Sequence, residues 1–146
     1  MQFIKTIREL LDVAYLFDNL SSSHVRSLGF TSGQFDVIAT LGNQPPMTCK
    51  ELAAKTLMVK GNLTVILDGL IKKGLITRVV NPNDGRSALI GLTKEGENTF
   101  NLIFPEHTKY LAPICEQFDD TRMKSLQQEL NQVKIKLEQY LQSNSN

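Results

Sequence analysis

Few side chains in this 146-residue chain have both the type and the spacing for covalent or metal chemistry. The two histidines, His24 and His107, lack a partner one helical turn away, and Leu111 stands where a chelating partner of His107 would be needed. Helix packing or a surface position accounts for them, so no metal site is expected. Cys49 and Cys115 show no C-x-x-C spacing and cannot build a disulfide framework. Cys49 follows Thr48 at the start of a helical stretch, where the helix dipole could lower a thiol pKa; a structural or incidental thiol is the simpler reading. There is no glycine-rich phosphate loop, no nucleophile paired with a base and no paired-carboxylate motif, so neither an enzyme nor a bound cofactor is expected. What remains is cationic and hydrogen-bonding: Lys60, Asn62 and Thr64 in one short stretch, and Arg86 just beyond Asp84 and Gly85. Such groups suit base edges and phosphates better than bond-breaking.

These residues need rigid elements to present them, and the hydrophobic spacing supplies candidates. Phe3, Ile4, Ile7, Leu10, Leu11, Ala14 and Phe17 recur at helical intervals and predict a long amphipathic helix ending in Ser21-Ser22-Ser23, with Leu28-Gly29-Phe30 as a linker. Thr31 with Gln34, and Thr48 with Glu51, have capping-box form and open two short helices; Gly42, Pro45 and Pro46 stop the first. Val59, Leu63, Ile66, Leu67 and Leu70 draw the next apolar stripe, with Gly74 as its stop, so a longer helix is expected over about 59–73. Two helices joined by a short turn make a helix-turn-helix. The run Leu75 to Val80, the turn-rich Asn81-Pro82-Asn83-Asp84-Gly85 and Arg86 to Leu92 predict a hairpin over about 75–92, closed by an Asp-Gly turn. A helix-turn-helix followed by a hairpin is a winged helix, here spanning 31–92. Thr93 is expected to cap a long helix that Pro105 and Pro113 bend or break. Beyond Asp119-Asp120, the positions Met123, Leu126, Leu130, Val133, Leu137 and Tyr140 form a coiled-coil-like seam, and 143–146 read as a frayed tail. The expected fold class is mainly α with a small β-hairpin wing.

Glu51-Leu52-Ala53, then Lys60-Gly61-Asn62-Leu63-Thr64, Asp68 to Leu70, Lys73-Gly74-Leu75-Ile76 and Arg78 follow one another in an order that resembles the MarR (multiple antibiotic resistance regulator) family of bacterial transcription factors. Asn81-Pro82-Asn83-Asp84-Gly85-Arg86 and Leu92-Thr93-Lys94-Glu95-Gly96 look like that family's wing and its junction to the next helix. Helix order and lengths extend the resemblance over nearly the whole chain. It implies a winged helix-turn-helix at 31–92 and a helical dimerisation region built from N- and C-terminal helices at 1–30 and 93–142. It further implies a homodimer, usually a repressor, on a pseudo-palindromic double-stranded DNA operator, and in many members release by a small-molecule effector or an oxidant. The chain departs from the family at Val59, where a Ser or Thr cap is frequent; at Val65 and Gly69, where many members carry Arg; and at Gly85, which replaces a frequent basic wing residue. The peroxide-sensing branch carries its reactive Cys in the first helix, and this first helix has none.

On a helical wheel with Leu63, Ile66, Leu67 and Leu70 facing inward, Gly61, Thr64, Val65 and Asp68 occupy the opposite face, with Lys60 and Asn62 on its flanks. In a major groove Asn62 could bond adenine, Thr64 a base or a thymine methyl, and Lys60 guanine or phosphate, while Gly61 would let the backbone approach. Arg86 on the hairpin could enter a minor groove, with Asp84, by the resemblance, orienting that Arg or the turn. Arg78 either contacts phosphate or braces the wing. Lys50, Lys55, Lys72 and Lys73 offer phosphate contacts, although Asp68 and Lys72 could pair on the surface. The competing reading for each polar residue is a solvated helix flank. Tyr15, Phe17 and Phe35, with Phe3 and Phe104, are candidates to line an effector pocket; core packing explains them equally well. A winged helix used only for protein contacts is the alternative function, separated from DNA binding by salt sensitivity.

The formal net charge of +1 is unevenly spread. From Thr48 to Lys94 eight basic residues face three acidic ones, giving +5, and the other residues hold eight basic and twelve acidic, giving −4. The expected DNA-facing half is thus basic on an acidic frame. No apolar run approaches the roughly 18 residues of a membrane span. The N-terminal MQFIKTIRELLDV interleaves charges with apolar residues, unlike a secretory signal, so a soluble cytoplasmic protein is expected.

Overall fold

The computed structural model describes residues 1–56 and 62–145. Along the chain, α1 (Gln2–Ser27) leads to α2 (Ser32–Leu41), the two-residue strand β1 (Met47–Thr48), α3 (Cys49–Lys55), α4 (Leu63–Lys72), the hairpin of β2 (Ile76–Asn81) and β3 (Asp84–Leu92), α5 (Lys94–Cys115) and α6 (Asp120–Ser143). The expected class, mainly helical with a small antiparallel sheet as the wing, is what the chain adopts.

Local signals set most element starts. Thr31 accepts from the Gln34 N–H at 3.2 Å while Gln34 returns a bond to the Thr31 N–H at 3.1 Å, and Thr48 and Glu51 repeat the exchange at 3.2 and 2.8 Å. Each box satisfies donors that a helix start would otherwise leave open. Thr93 Oγ1 accepts from the Gly96 N–H at 3.0 Å, the cap expected for α5.

Four expectations need correction. Helix α1 does not stop at the serine triplet but runs to Ser27, because Ser22 and Val25 are buried there and reward another turn. Helix α4 starts at Leu63: Asn62, at φ −133°, already has non-helical backbone, whereas Val59, Lys60 and Gly61 lie outside the described residues. The wing turns on Pro82-Asn83 rather than on Asp-Gly, since Asn81 pairs with Asp84 and the latter two residues open β3. A bulge between Val80 and Asn81 absorbs the change of register. Finally, of the bend or break expected at Pro105 and Pro113, the break does not occur: α5 is one helix through both prolines. Each proline leaves a single carbonyl of the preceding turn without its helical donor, a local loss that a long helix survives.

By contact density the chain divides into Met1–Tyr110 and Leu111–Asn146. In the first unit, Val37 and Ile38 of α2, Leu52 of α3, Leu67 and Leu70 of α4, Ile76 of β2 and Ile90 of β3 pack into one core with Phe100 and Ile103 of α5. The sheet order is β1-β3-β2, all antiparallel, with Met47 opposite Ile90 and Ile76 opposite Leu92. In contrast, α1 keeps Leu11, Tyr15, Leu16 and Phe17 exposed. In the second unit Asp119 caps α6 by accepting from the Thr121 and Arg122 N–H groups, and α6 buries none of its residues.

One junction ties the recognition elements together. Gly74, at φ +72°, ends α4 with bonds from its own N–H to Ile71 and from the Leu75 N–H to Leu70, a Schellman closure that reverses the chain into β2. Thr93 then clamps this corner, its N–H donating to Leu75 at 3.0 Å and its hydroxyl to the Gly74 carbonyl at 2.6 Å. A Cβ on Gly96 would overlap the Leu75 carbonyl oxygen, so glycine lets α5 pack directly on the corner. The start of the wing and the end of α4 are thereby held to each other by backbone.

Candidate nucleic-acid interface

The inward stripe of α4 is as the spacing predicts. Leu67 and Leu70 are fully buried, Leu63 and Ile66 are half-buried, and Thr64, Val65 and Asp68 face outward. Asn62 occupies the N-cap without a side-chain bond to the helix, unlike Thr31 and Thr48, so capping does not consume its amide. Lys60 and Gly61, expected beside it, lie outside the described residues.

The wing is stiffened by its own side chains. Asn81 Oδ1 accepts from the Asn83 N–H at 3.0 Å, Asn81 Nδ2 donates to Ser87 Oγ at 3.2 Å, and Asp84 Oδ1 accepts from the Arg86 N–H at 3.0 Å. The Asp84 carboxylate fixes the backbone of Arg86 at the start of β3, and the Arg86 guanidinium makes no ion pair with a described residue. Such Asx bonds restrain short loops that have little else to hold them. Between the start of α3 and the wing lies an open groove of about 520 Å³, lined by Thr48 and Lys50 on one side and by Asn81, Asp84 and Arg86 on the other. Lys50 and Arg86, far apart in sequence, therefore border the same depression. Lys55 is exposed in the last turn of α3.

Among the candidate DNA-facing cations that are described, Arg78 and Lys73 have intramolecular partners. Arg78 of β2 reaches Asp68 of α4 at 3.6 Å, with the two side chains 38% and 56% exposed, so it braces wing against helix. Asp68 therefore pairs across elements rather than with Lys72. Lys73 donates to the Gly29 carbonyl at 3.1 Å with its ammonium 4.6 Å from the Phe30 ring centre, tying the end of α4 to the linker before α2.

The contact missed in the sequence is between the histidines. His24 Nδ1 and His107 Nδ1 are 2.9 Å apart, and Ser21 Oγ lies 3.0 Å from His107 Nε2. Tyr110 stacks on His24 at 4.1 Å between centroids, and Phe35 meets His107 edge-on at 4.8 Å. Burial lowers the pKa of His107, with a further contribution from the charge of His24. Phe35 is thus a packing partner of α5, whereas Tyr15 and Phe17 stay exposed on α1. The separation of 83 positions hides this pairing from any local spacing rule. Among the described residues no group of three or more His, Cys, Asp or Glu could hold a metal, and both cysteines are free and exposed. Among the described residues no helix is long and apolar enough to cross a membrane.

Comparison with known proteins gives a consistent result. The model of the MarR family matches residues 30–88. The uncharacterized HTH-type transcriptional regulator YkoM of Bacillus subtilis is 29% identical over 102 residues, covering 68% of this chain and 66% of YkoM, so the match spans just under two thirds of that relative. Among solved structures, a MarR-like transcription regulator from Bacillus cereus superposes with a TM-score of 0.76 at 24% identity, over 94% of this chain and 99% of that one. Sco3205, a MarR family transcriptional regulator from Streptomyces coelicolor in complex with DNA, does so with a TM-score of 0.77 at 21% identity, over 88% and 83%. At those identities the two structures speak for the fold.

Proposed function

We propose that the chain is a member of the MarR family of transcriptional regulators, whose model its residues 30–88 match, and that it binds double-stranded DNA sequence-specifically as a homodimer on a pseudo-palindromic operator, acting as a repressor. The observation that carries this reading is the wing: Arg86 is held by Asp84 on a stiffened hairpin, in one groove with Lys50 and locked through Gly74 and Thr93 to the outward face of α4. A helix for the major groove and a cationic hairpin for the neighbouring backbone or minor groove are the two parts such docking requires.

The roles then divide by chemistry. Asn62 and Thr64, with Lys60 and Gly61 before them, address base edges and the adjoining backbone. Arg86 addresses the minor groove, placed by Asp84, and Lys50 and Lys55 address phosphates. Arg78 acts through Asp68 until DNA competes for it. The exposed apolar surface of α1 is the proposed dimer surface, supported by Leu11, Leu16 and Leu20 lying open along one helix. Tyr15 and Phe17 are the proposed lining of an effector site. The fold of Sco3205, solved with DNA, supports the same mode of docking.

The test is a binding-site selection from randomised duplexes, followed by titration at several salt concentrations. The expected result is one enriched, two-fold symmetric motif, with Arg86→Ala weakening binding by about 1–3 kcal/mol. The alternative, a winged helix serving only protein contacts, draws on the exposed Val79 and Val80 of β2. No enrichment, together with a salt-insensitive protein complex, would establish that alternative.

A further inference from the structure

Val65 is 63% exposed on the outward face of α4, in the first turn of the helix. A β-branched side chain there gains nothing from helix propensity and little from burial. Its described neighbours on that face are Thr64, a neutral hydroxyl, and Asp68, whose carboxylate is engaged by Arg78 at 3.6 Å. Among the described residues of α4, Lys72 is the one basic residue, and it sits in the last turn. The first two turns therefore present a methyl-rich surface without the Arg or Lys that reads guanine bidentately.

Resting on the DNA-binding reading above, we propose that Val65 is a specificity-determining residue that reads the 5-methyl group of a thymine in each operator half-site. Thymine is the base that offers an apolar group in the major groove. Pressed against guanine O6 and N7 or cytosine N4, the two methyls of Val65 would strip water from polar atoms and return no bond. Against a thymine methyl they bury apolar surface on both sides. The N-terminal turn of a recognition helix is the part that reaches base edges, so Val65 and Thr64 are the described α4 side chains best placed for contact. Specificity by shape and methyl contact also fits a helix with so little positive charge.

The experiment uses the full-length protein and the duplex enriched by selection, resynthesised with uracil in place of each thymine pair in turn. Uracil keeps every hydrogen-bonding atom and removes only the methyl. The expected result is one symmetric thymine position at which uracil weakens wild-type binding about fourfold for each half-site, from the loss of one buried methyl contact. Val65→Ala should bind the thymine duplex correspondingly less well and be indifferent to uracil at that position, with an unchanged melting temperature. Penalties equal in wild type and Val65→Ala, or no penalty at any position, would overturn the inference while leaving the DNA-binding reading intact. Failure to enrich any duplex would remove that reading and this inference together.

Discussion

His24 and His107, 83 positions apart, meet through their Nδ1 atoms at 2.9 Å and so join α1 to α5 with at most one proton between them. When either nitrogen carries the proton the other accepts it, and Ser21 can complement His107 Nε2 in either tautomer. Protonating both nitrogens would turn two donors toward each other.

Stability should therefore depend on pH in the weakly acidic range. The pKa of His107 is lowered from 6.5, first by burial and then by His24, so below pH 6.5 the unfolded chain takes up the proton more readily than the folded one. The contribution is complete above pH 6.5 and is lost as pH falls through the depressed native value. Thermal melting from about pH 8 to 5 should show this decline, and His107→Gln, which keeps a donor and an acceptor but does not titrate, should flatten it. An equally steep decline in His107→Gln would refute the assignment.

The Asp68–Arg78 pair is half-exposed, so its removal should cost the fold no more than about 1 kcal/mol. On DNA the effect should be larger and of opposite sign. Asp68→Asn takes one negative charge off the groove-facing side of α4 and releases Arg78 for phosphate. Affinity should rise several-fold and the slope of log K against log salt should steepen by about one unit. If affinity falls at an unchanged melting temperature, the pair serves instead to hold the wing in position.

Two glycines should respond in opposite ways. Gly96→Ala drives a Cβ into the Leu75 backbone carbonyl, which cannot rotate away, so destabilisation of about 1–3 kcal/mol is expected in a chemical denaturation curve. Gly85, near the start of β3, has no positive φ, and a Cβ added there would meet no atom within 4 Å. Gly85→Arg should leave stability within about 0.5 kcal/mol and strengthen DNA binding, with a salt slope steeper by about 0.9. An unchanged affinity and salt slope in Gly85→Arg would place that position away from the duplex.

Legibility in the sequence followed the range of the interaction. Thr31, Thr48 and Thr93 announce helix starts because a cap acts over three residues. Gly74 announces a stop because a left-handed residue is a single-position requirement. The apolar stripe of α4 was readable because periodicity is a property of one helix. The end of α1 was not, since what carries it past the serines is burial of Val25 against other elements. The wing turn was displaced for a related reason: the register is settled by pairing between strands, down to Asn81 opposite Asp84, and not by the Asp-Gly dipeptide alone.

The sequence by itself determined the order of the helices and the hairpin, the winged-helix class and the concentration of positive charge between Thr48 and Lys94, all consequences of local chemistry and one-dimensional pattern, whereas the short strand β1 arises only from pairing with β3. Tertiary structure decided which charges are committed. It assigned Arg78 to Asp68 and Lys73 to Gly29, brought Lys50 and Arg86 to one groove, and paired two histidines that sequence spacing kept apart. The reason is physical: an ion pair or hydrogen bond needs its partners within a few ångströms, and only the packing of one element on another sets that distance.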